Sequence, residues 1–238
     1  MTAKELVHAF AGNPLDRGTS IRHSGDKIEA MKELPSAKYL IFQDLKVLTS
    51  DGAIDYVAYR SLPKLKGDQI FLGTLKNVPY FAVQTEDGDF GEFTDCRQVV
   101  RQKDLSQSGI VAQARSMLAW HRKNPFCSRC GNETALERGG QLRRCPACNA
   151  TTHPRIDPVV IMLIEHPDDQ NLCLLGKSQG RMASSNFYSA LAGFVDQGES
   201  LEEAVRREVL EESGVFVDDL KYHSSQPWPF PSSLMIGF

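Results

Sequence analysis

The sequence predicts an α+β protein, with α/β as the alternative for its last part, in successive parts: a β-rich N-terminal stretch, a small cysteine module, and a second segment of strands and one long helix. Three observations predict it. Runs rich in β-branched and aromatic residues crowd the first hundred positions, two CxxC pairs stand mid-chain, and a capped acidic helix follows apolar strands toward the C-terminus. At 238 residues there is room for one large domain or two small ones. The net charge of −3 gives no global drive toward nucleic acid or an anionic membrane. No apolar run approaches the length of a membrane span, so no membrane partner is expected. The first seventeen residues lack an uninterrupted apolar core of a secretory signal, and the final Ile-Gly-Phe is not a peroxisomal address. The expected location is cytoplasmic, with a peroxisomal one as the alternative in a eukaryote.

Residues 1–105 read as the β-rich domain. Strands are expected at Lys38–Phe42, Ala53–Arg60, Gln69–Thr74 and Tyr80–Gln84, punctuated by Asp51-Gly52, Pro63, Gly67 and Asp87-Gly88. Asn13–Arg17 reads as a turn. Residues 106–125 form a linking helix, its helical composition clearest over 108–122. Ala112, Met117 and Trp120 supply its buried side, with Gln113 and Arg115 outward. His121 reads as an ordinary helix histidine.

Residues 126–153 hold the metal module. Cys127, Cys130, Cys145 and Cys148 form two CxxC pairs with fourteen residues between them. In a chain without an export signal this favours metal over disulfides. Four thiolates predict a closed, tetrahedral, structural Zn²⁺ site; a redox CxxC or unrelated free thiols are the competing readings. Gly131 and Asn149, each following a pair, tolerate the positive φ of a tight turn. Cys96 and Cys173 have no partner pattern and read as ordinary residues. Arg138, Arg143 and Arg144 give the module a basic surface, either solvated charge or a phosphate contact.

Residues 154–238 carry the chemistry. Pro158–Ile164 is a near-continuous apolar run, as in a strand buried on both faces; Pro167–Gln170 is a turn, Leu172–Leu175 a returning strand, and Ser189–Val195 leads into a helix. Ser200 and Glu203 have capping-box spacing, so that helix starts at Leu201 and exits at Gly214. Glu208, Glu211 and Glu212 fall on one side of it. Glu208 and Glu212 are like charges one turn apart, a conflict of a few tenths of a kcal/mol that a divalent cation removes. Downstream, Ser225–Ser233 alternates three prolines with Trp228 and Phe230, a stiff extended platform on which a flat heterocycle could stack.

Residues 193–215 resemble the Nudix box at every defining position: Gly193, Glu199, Arg207-Glu208, Glu211-Glu212 and Gly214, with aliphatics at Val209 and Val215. The array SQPWPFPSS at 225–233 resembles that of the NADH pyrophosphatase subfamily. So do Trp120-His121, the four-cysteine ribbon after them, Pro154–Pro158 and Phe71-Leu72-Gly73. The resemblance covers nearly the whole chain. It implies a Nudix-like N-terminal domain, a zinc ribbon, and a catalytic Nudix fold with a mixed sheet between helices. It implies hydrolysis of NADH or NAD⁺ to nicotinamide mononucleotide and AMP, by a homodimer whose sites draw on both subunits. Carried onto this chain, Glu208, Glu211, Glu212 and the Ala192 carbonyl would hold Mg²⁺ or Mn²⁺, and Arg207 would orient a box carboxylate. Phe194, Gln226, Pro227, Trp228, Pro229, Phe230, Pro231, Ser232 and Ser233 would hold the dinucleotide, and the four cysteines zinc.

Two departures stand out. His153 occupies the position before Pro154-Arg155 where the subfamily commonly has Tyr. The chain also stops at Phe238, within the strand expected after the proline-rich stretch, so the C-terminal part of the Nudix fold is expected to be missing and the edge of 233–238 to meet water. The alternatives are removal of the NAD cap from RNA by the same chemistry, and a non-catalytic zinc-dependent binding protein.

Overall fold

A computed structural model of the chain describes residues 8–61, 68–86, 90–100, 105–169, 171–177 and 186–238. The expected punctuation at Pro63, Gly67, Asp87, Gly88 and Gln170 lies outside the described residues. The chain divides into two compact units: Val7–Arg155 with Pro229–Pro231, and Ile156–Trp228 with Ser232–Phe238.

The N-terminal unit is a mixed sheet with apolar packing on both faces. It begins with helix α1 (Gly25–Lys32), followed by β1 (Lys38–Gln43), β2 (Lys46–Ser50), β3 (Ala53–Ile54) and β4 (Tyr56–Ala58). Then come β5 (Gln69–Leu75), β6 (Val78–Gln84) and β7 (Glu92–Thr94). The order is β3-β2-β1-β6-β5; β4 pairs β1, β7 pairs β2, and β1 and β6 run parallel. Helix α2 (Cys96–Val99) precedes the long α3 (Leu105–Lys123). Strict alternation sorts the side chains. Leu40, Phe42, Ile70, Leu72, Tyr80 and Ala82 pack with Ile110, Val111, Ala114 and Leu118 of α3. Their sequence neighbours Tyr39, Ile41, Phe71, Phe81 and Val83 pack with Ile28 of α1.

Several expectations change here. The strand expected over Ala53–Arg60 breaks into β3, β4 and a short 3₁₀ turn at Tyr59–Ser61. Helix α1 was not expected, although Ser24 accepts a hydrogen bond from the Lys27 N–H as its N-cap. Asn13–Arg17 is more than a turn: Asn13 donates to the Gly109 carbonyl and Gln113, and Asp16 bridges to Thr74. Ala112, Met117 and Trp120 are buried as expected. Gln113 and Arg115, expected to point outward, are half-buried: Gln113 donates to the Leu72 carbonyl and Arg115 to that of Pro229.

The four-cysteine module follows as β8 (Ala135–Glu137), β9 (Leu142–Arg144) and β10 (Thr151–Thr152), an antiparallel sheet. Arg143 was expected at the module's basic surface, and instead it is buried. It donates to Asp68 (2.7 Å), to the hydroxyl and carbonyl of Thr134 (2.7 Å each), and to Nδ1 of buried His121 (3.0 Å). A buried guanidinium needs such a set of acceptors, and these come from three separate chain segments. His121 completes the network through Nε2 to the Gly140 carbonyl at 2.9 Å.

The C-terminal unit contains β11 (Asp157–Met162), the hairpin β12 (Ile164–Glu165) and β13 (Cys173–Leu174), and β14 (Gly176–Lys177) paired with β15 (Tyr188–Ser189). It continues with β16 (Leu191–Phe194), helix α4 (Leu201–Ser213), β17 (Ser224–Trp228) and β18 (Ser233–Gly237). The main sheet has the order β16-β11-β18-β17, with β11 and β18 parallel. The expectation of a bare edge at 233–238 is therefore corrected. β18 lies between β11 and β17, and both of its edges are hydrogen-bonded. Val160, Met162 and Leu191 of the sheet pack under Ala204, Val205 and Val209 of α4.

Candidate functional site

The acidic site is built on α4 and the turn before it. Ser200 caps the helix, its hydroxyl accepting from the Glu203 N–H while Glu203 accepts from the Ser200 N–H. Gly214 ends it at φ 72°, in the left-handed region. With Ala204, Val205 and Val209 buried against the sheet, Glu208 and Glu211 are turned toward Arg207.

Arg207 organises the site. Its guanidinium grips Glu199 with two bonds of 2.6 and 2.8 Å, donates to Glu208 at 2.8 Å and Glu211 at 3.2 Å, and donates to the Phe194 carbonyl at 2.9 Å. Such fork geometry is what Arg supplies and Lys cannot. The bonds from Arg207, with a second from the Asp196 N–H, hold the Glu199 carboxyl down to about 2. Arg207 is in turn pushed above its ordinary value, first by Glu199 and then by Glu208. The turn and the helix are thus locked together by one cation.

Gly193 explains itself by close approach. A Cβ there would fall 1.8 Å from the Glu208 carboxyl carbon, so that carboxylate lies directly over the glycine backbone. Glu212 is exposed as a residue, but its carboxyl pKa is raised. Partial desolvation is the first cause and the Glu208 charge the second, opposed by the Ala192 backbone N–H. The like-charge conflict read from the sequence is therefore present in the structure, and Arg207 does not relieve it at Glu212.

The four cysteines are already assembled. Their sulfurs lie within 4.8 Å of one another, with contacts of 3.7 Å (Cys127–Cys148) and 3.5 Å (Cys130–Cys145 and Cys130–Cys148). Tetrahedral ligands at a Zn–S distance near 2.3 Å stand roughly 3.8 Å apart, so the set fits zinc. Backbone and amide donors support the sulfurs: the Arg129 N–H reaches Cys127, and the Asn132 amide reaches Cys130, both at 3.4 Å. Asn149 and Gly131 adopt φ of 58° and 75°, as the turns require. Cys96 is buried in the N-terminal core and Cys173 exposed.

The proline-rich stretch divides. Gln226, Pro227 and Trp228 lie on β17, and Ser233 opens β18 opposite Trp228. Phe230 belongs to the N-terminal unit, where guanidinium carbons of Arg97 and Arg115 lie 3.7 and 4.3 Å from its ring centroid and Phe10 meets it edge-on. Phe194 is 59% exposed. Sequence reasoning missed the roles of Glu199 as the clamp on Arg207 and of Arg97 and Arg115 on Phe230. The first is signalled by the box spacing itself; the second has no local signal.

Comparison with known proteins matches three family models in the order read from the sequence. They are an NADH pyrophosphatase-like rudimentary NUDIX domain over residues 36–120, an NADH pyrophosphatase zinc ribbon domain over 122–152, and a NUDIX domain over 155–235. Among relatives, the NAD-capped RNA hydrolase NudC of Deinococcus radiodurans is 36% identical over 86% of this chain and 72% of its own length. Nudix hydrolase 19, chloroplastic, of Arabidopsis thaliana is 37% identical over 100% of this chain and 67% of its own. The human NAD-capped RNA hydrolase NUDT12 is 35% identical over 98% of this chain; the chain spans 62% of that relative's length. Among the described residues no helix is long and apolar enough to cross a membrane. A box helix clamped by Arg207, a four-thiol ribbon and this ordered set of domains have one common explanation: the chain belongs to the Nudix hydrolases, in the zinc-ribbon-containing NADH pyrophosphatase group.

Proposed function

We propose that this chain hydrolyses the pyrophosphate bond of NADH or NAD⁺, giving nicotinamide mononucleotide and AMP, with Mg²⁺ or Mn²⁺. The observation that carries the reading is the Glu208–Glu212 pair: two carboxylates one turn apart on α4, the second with its pKa raised partly by the first. That surplus of negative charge fits a hard, oxygen-binding cation. Glu208 and Glu212 would hold it, with Glu211 and the Ala192 carbonyl as further donors. The N–H and C=O of a strand residue point to the same side, and the Ala192 N–H is directed at Glu212, which supports the carbonyl as a ligand. The bound ion would supply charge neutralisation for the diphosphate oxygens.

The protein's own residues do the positioning. Glu199 fixes Arg207, and Arg207 holds Glu208 over Gly193 so that its carboxylate does not reorganise during the reaction. One of the three box carboxylates takes the proton from the attacking water. Phe194 and residues Gln226–Ser233 would receive the dinucleotide. Because two guanidinium groups engage Phe230, stacking falls to Phe194 and Trp228, and Pro229–Pro231 anchor the loop. The exposed Phe187, Tyr188 and Phe216 of the C-terminal unit support assembly as a homodimer.

A second reading uses the same bond: removal of an NAD cap from RNA, favoured by the likeness to the NAD-capped RNA hydrolases NudC and NUDT12. The test is release of nicotinamide mononucleotide by zinc-loaded protein with and without Mg²⁺ or Mn²⁺, first from NADH, where AMP is the other product, and then from NAD-capped RNA, where 5′-monophosphate RNA is the other product. Glu212→Gln is expected to cut turnover by about a thousandfold while leaving the fold intact. A folded wild-type protein that releases nicotinamide mononucleotide from neither substrate would remove the catalytic reading and leave the binding-protein alternative.

A further inference from the structure

A pocket of about 490 Å³ opens in the N-terminal unit where α2, α3 and the Phe230 turn meet. Its cations are Arg97 from α2 and Arg115, Arg122 and Lys123 from α3; Ala119 and Phe230 are among its apolar lining. Positions 115, 119, 122 and 123 recur at helical spacing, so one face of α3 presents all three of its cations to the same space.

Arg97, Arg122 and Lys123 are exposed and Arg115 is half-buried, and the charge of a helix terminus does not account for all four. Arg122 and Lys123 lie in the last turn of α3, where the helix dipole favours cations. Arg115 is two turns earlier and Arg97 is on another element, so the dipole explains neither. Both guanidinium groups lie on the Phe230 ring, which brings two like charges together; Arg97 lowers the Arg115 pKa after the larger effect of burial. The neutralising carboxylates are few. Asp95 stands 3.4 Å from Arg97 and Asp44 3.5 Å from Arg122, the two longest ion pairs among the described residues, both exposed. Arg115 and Lys123 have no carboxylate within 4.0 Å among the described residues. In a chain of net charge −3, four cations facing two carboxylates form a local positive field.

We infer that this pocket is a binding site for a small, multiply charged phosphate-bearing anion, separate from the acidic box. Arginine forks match phosphate oxygens, and Lys123 adds a mobile point charge. The guanidinium groups on Phe230 leave the ligand to be read by its charge rather than by base stacking. All of the lining belongs to the N-terminal unit and none to α4; the four cations lie outside the residues assigned to the dinucleotide, while Phe230 belongs to that stretch as its anchor.

The test is calorimetric titration of inorganic tripolyphosphate into zinc-loaded protein, in buffer free of Mg²⁺, Mn²⁺ and chelator. One-to-one binding that weakens with salt is expected for wild type and for Glu208→Gln, since the box takes no part. The double variant Arg122→Gln/Lys123→Gln leaves Arg97 and Arg115 on Phe230 and keeps the anchor. It should bind at least about tenfold more weakly, the size of one lost charge-assisted contact. No binding at millimolar tripolyphosphate, or equal binding by the double variant, would overturn the inference. So would a short 5′-hydroxyl RNA that binds more tightly than tripolyphosphate and is likewise lost in the double variant, because the pocket would then serve a phosphodiester chain.

Discussion

The two sheets of this protein share a plan and differ in what they leave open. Each places one parallel pair, β1–β6 or β11–β18, inside an otherwise antiparallel sheet. The N-terminal sheet buries alternating residues on both faces, so that Tyr39, Leu40, Ile41 and Phe42 are all fully inaccessible. The C-terminal sheet has a smaller core under α4, and its unit leaves Phe187, Tyr188, Phe194 and Phe216 exposed. The helix packed on the second carries Glu208 and Glu212, like charges one turn apart. The difference teaches how such a fold allocates its residues. A sheet closed on both faces is a scaffold; one left partly open keeps charged groups that conflict with one another and apolar groups without cover, both of which a ligand or partner can satisfy.

The largest expected effect breaks the scaffold side. The four thiols meet without help from the box, and zinc in small ribbon modules contributes on the order of 10 kcal/mol of folding free energy. Cys145→Ser is expected to abolish tight zinc binding and to lower the melting temperature. Through Arg143, two residues from Cys145, it should also loosen the contact with His121 and Asp68. The box helix has its own caps and core and should persist. Metal analysis and hydrogen exchange resolved along the chain measure both halves. Uniform loss of protection in both units would show that the two sheets are not independent.

Two glycines sharpen the comparison. A Cβ on Gly73, at φ +141°, would stand 2.2 Å from the Asp16 carbonyl oxygen, a backbone atom that cannot step aside. Gly73→Ala is expected to cost about 3 kcal/mol or more, from overpacking and backbone strain together. It should leave kcat per folded molecule unaltered. A Cβ on Gly193 would meet the Glu208 carboxylate, the movable end of a side chain. Gly193→Ala should cost less stability, about 1–3 kcal/mol, but lower kcat by about a hundredfold because Glu208 must leave its place. Thermal unfolding paired with AMP-release kinetics separates the two. If both variants lost stability and kcat in the same proportion, the division into scaffold and reactive sheet would fail.

What was legible in both halves has local signals. Ser200, Glu203 and Gly214 bound a helix by chemistry contained in fifteen residues, and the cysteine spacing fixes a ligand set in twenty-two. What was illegible depends on partners distant in the chain. Arg143 reads as surface charge until Asp68 and His121 arrive to bury it. Arg115 reads as outward until the Pro229 carbonyl and Phe230 come to it from more than a hundred residues away. The central place of β18 follows from pairing with β11, which no short window contains. Helix α1 did have a local signal, Ser24 before an amphipathic turn, overshadowed by the β-rich composition around it.

The smallest expected effect concerns His121, which belongs wholly to the scaffold. Burial is the main reason its pKa falls to about 4; the adjacent Arg143 lowers it further, while the Gly140 carbonyl and Asp68 act in the opposite direction. The ring is therefore neutral in the folded protein. Nδ1 accepts from Arg143, so the proton sits on Nε2 and is donated to Gly140. Because the folded value lies below the unfolded one near 6.5, the unfolded chain takes up the extra proton first. The contribution is whole above about pH 6.5, shrinks as pH falls, and is gone by about pH 4. The loss is at most about 3 kcal/mol over that window. Acid also protonates the zinc thiolates, so the comparison must be made at matched zinc occupancy. His121→Gln keeps a donor for Gly140 and removes the titration. Its stability should be lower than wild type at pH 7 and converge with it toward pH 5. An imidazole nitrogen spectrum showing a proton on Nδ1, or a ring that titrates near 6.5 in the folded protein, would show that Arg143 is held by something other than this histidine.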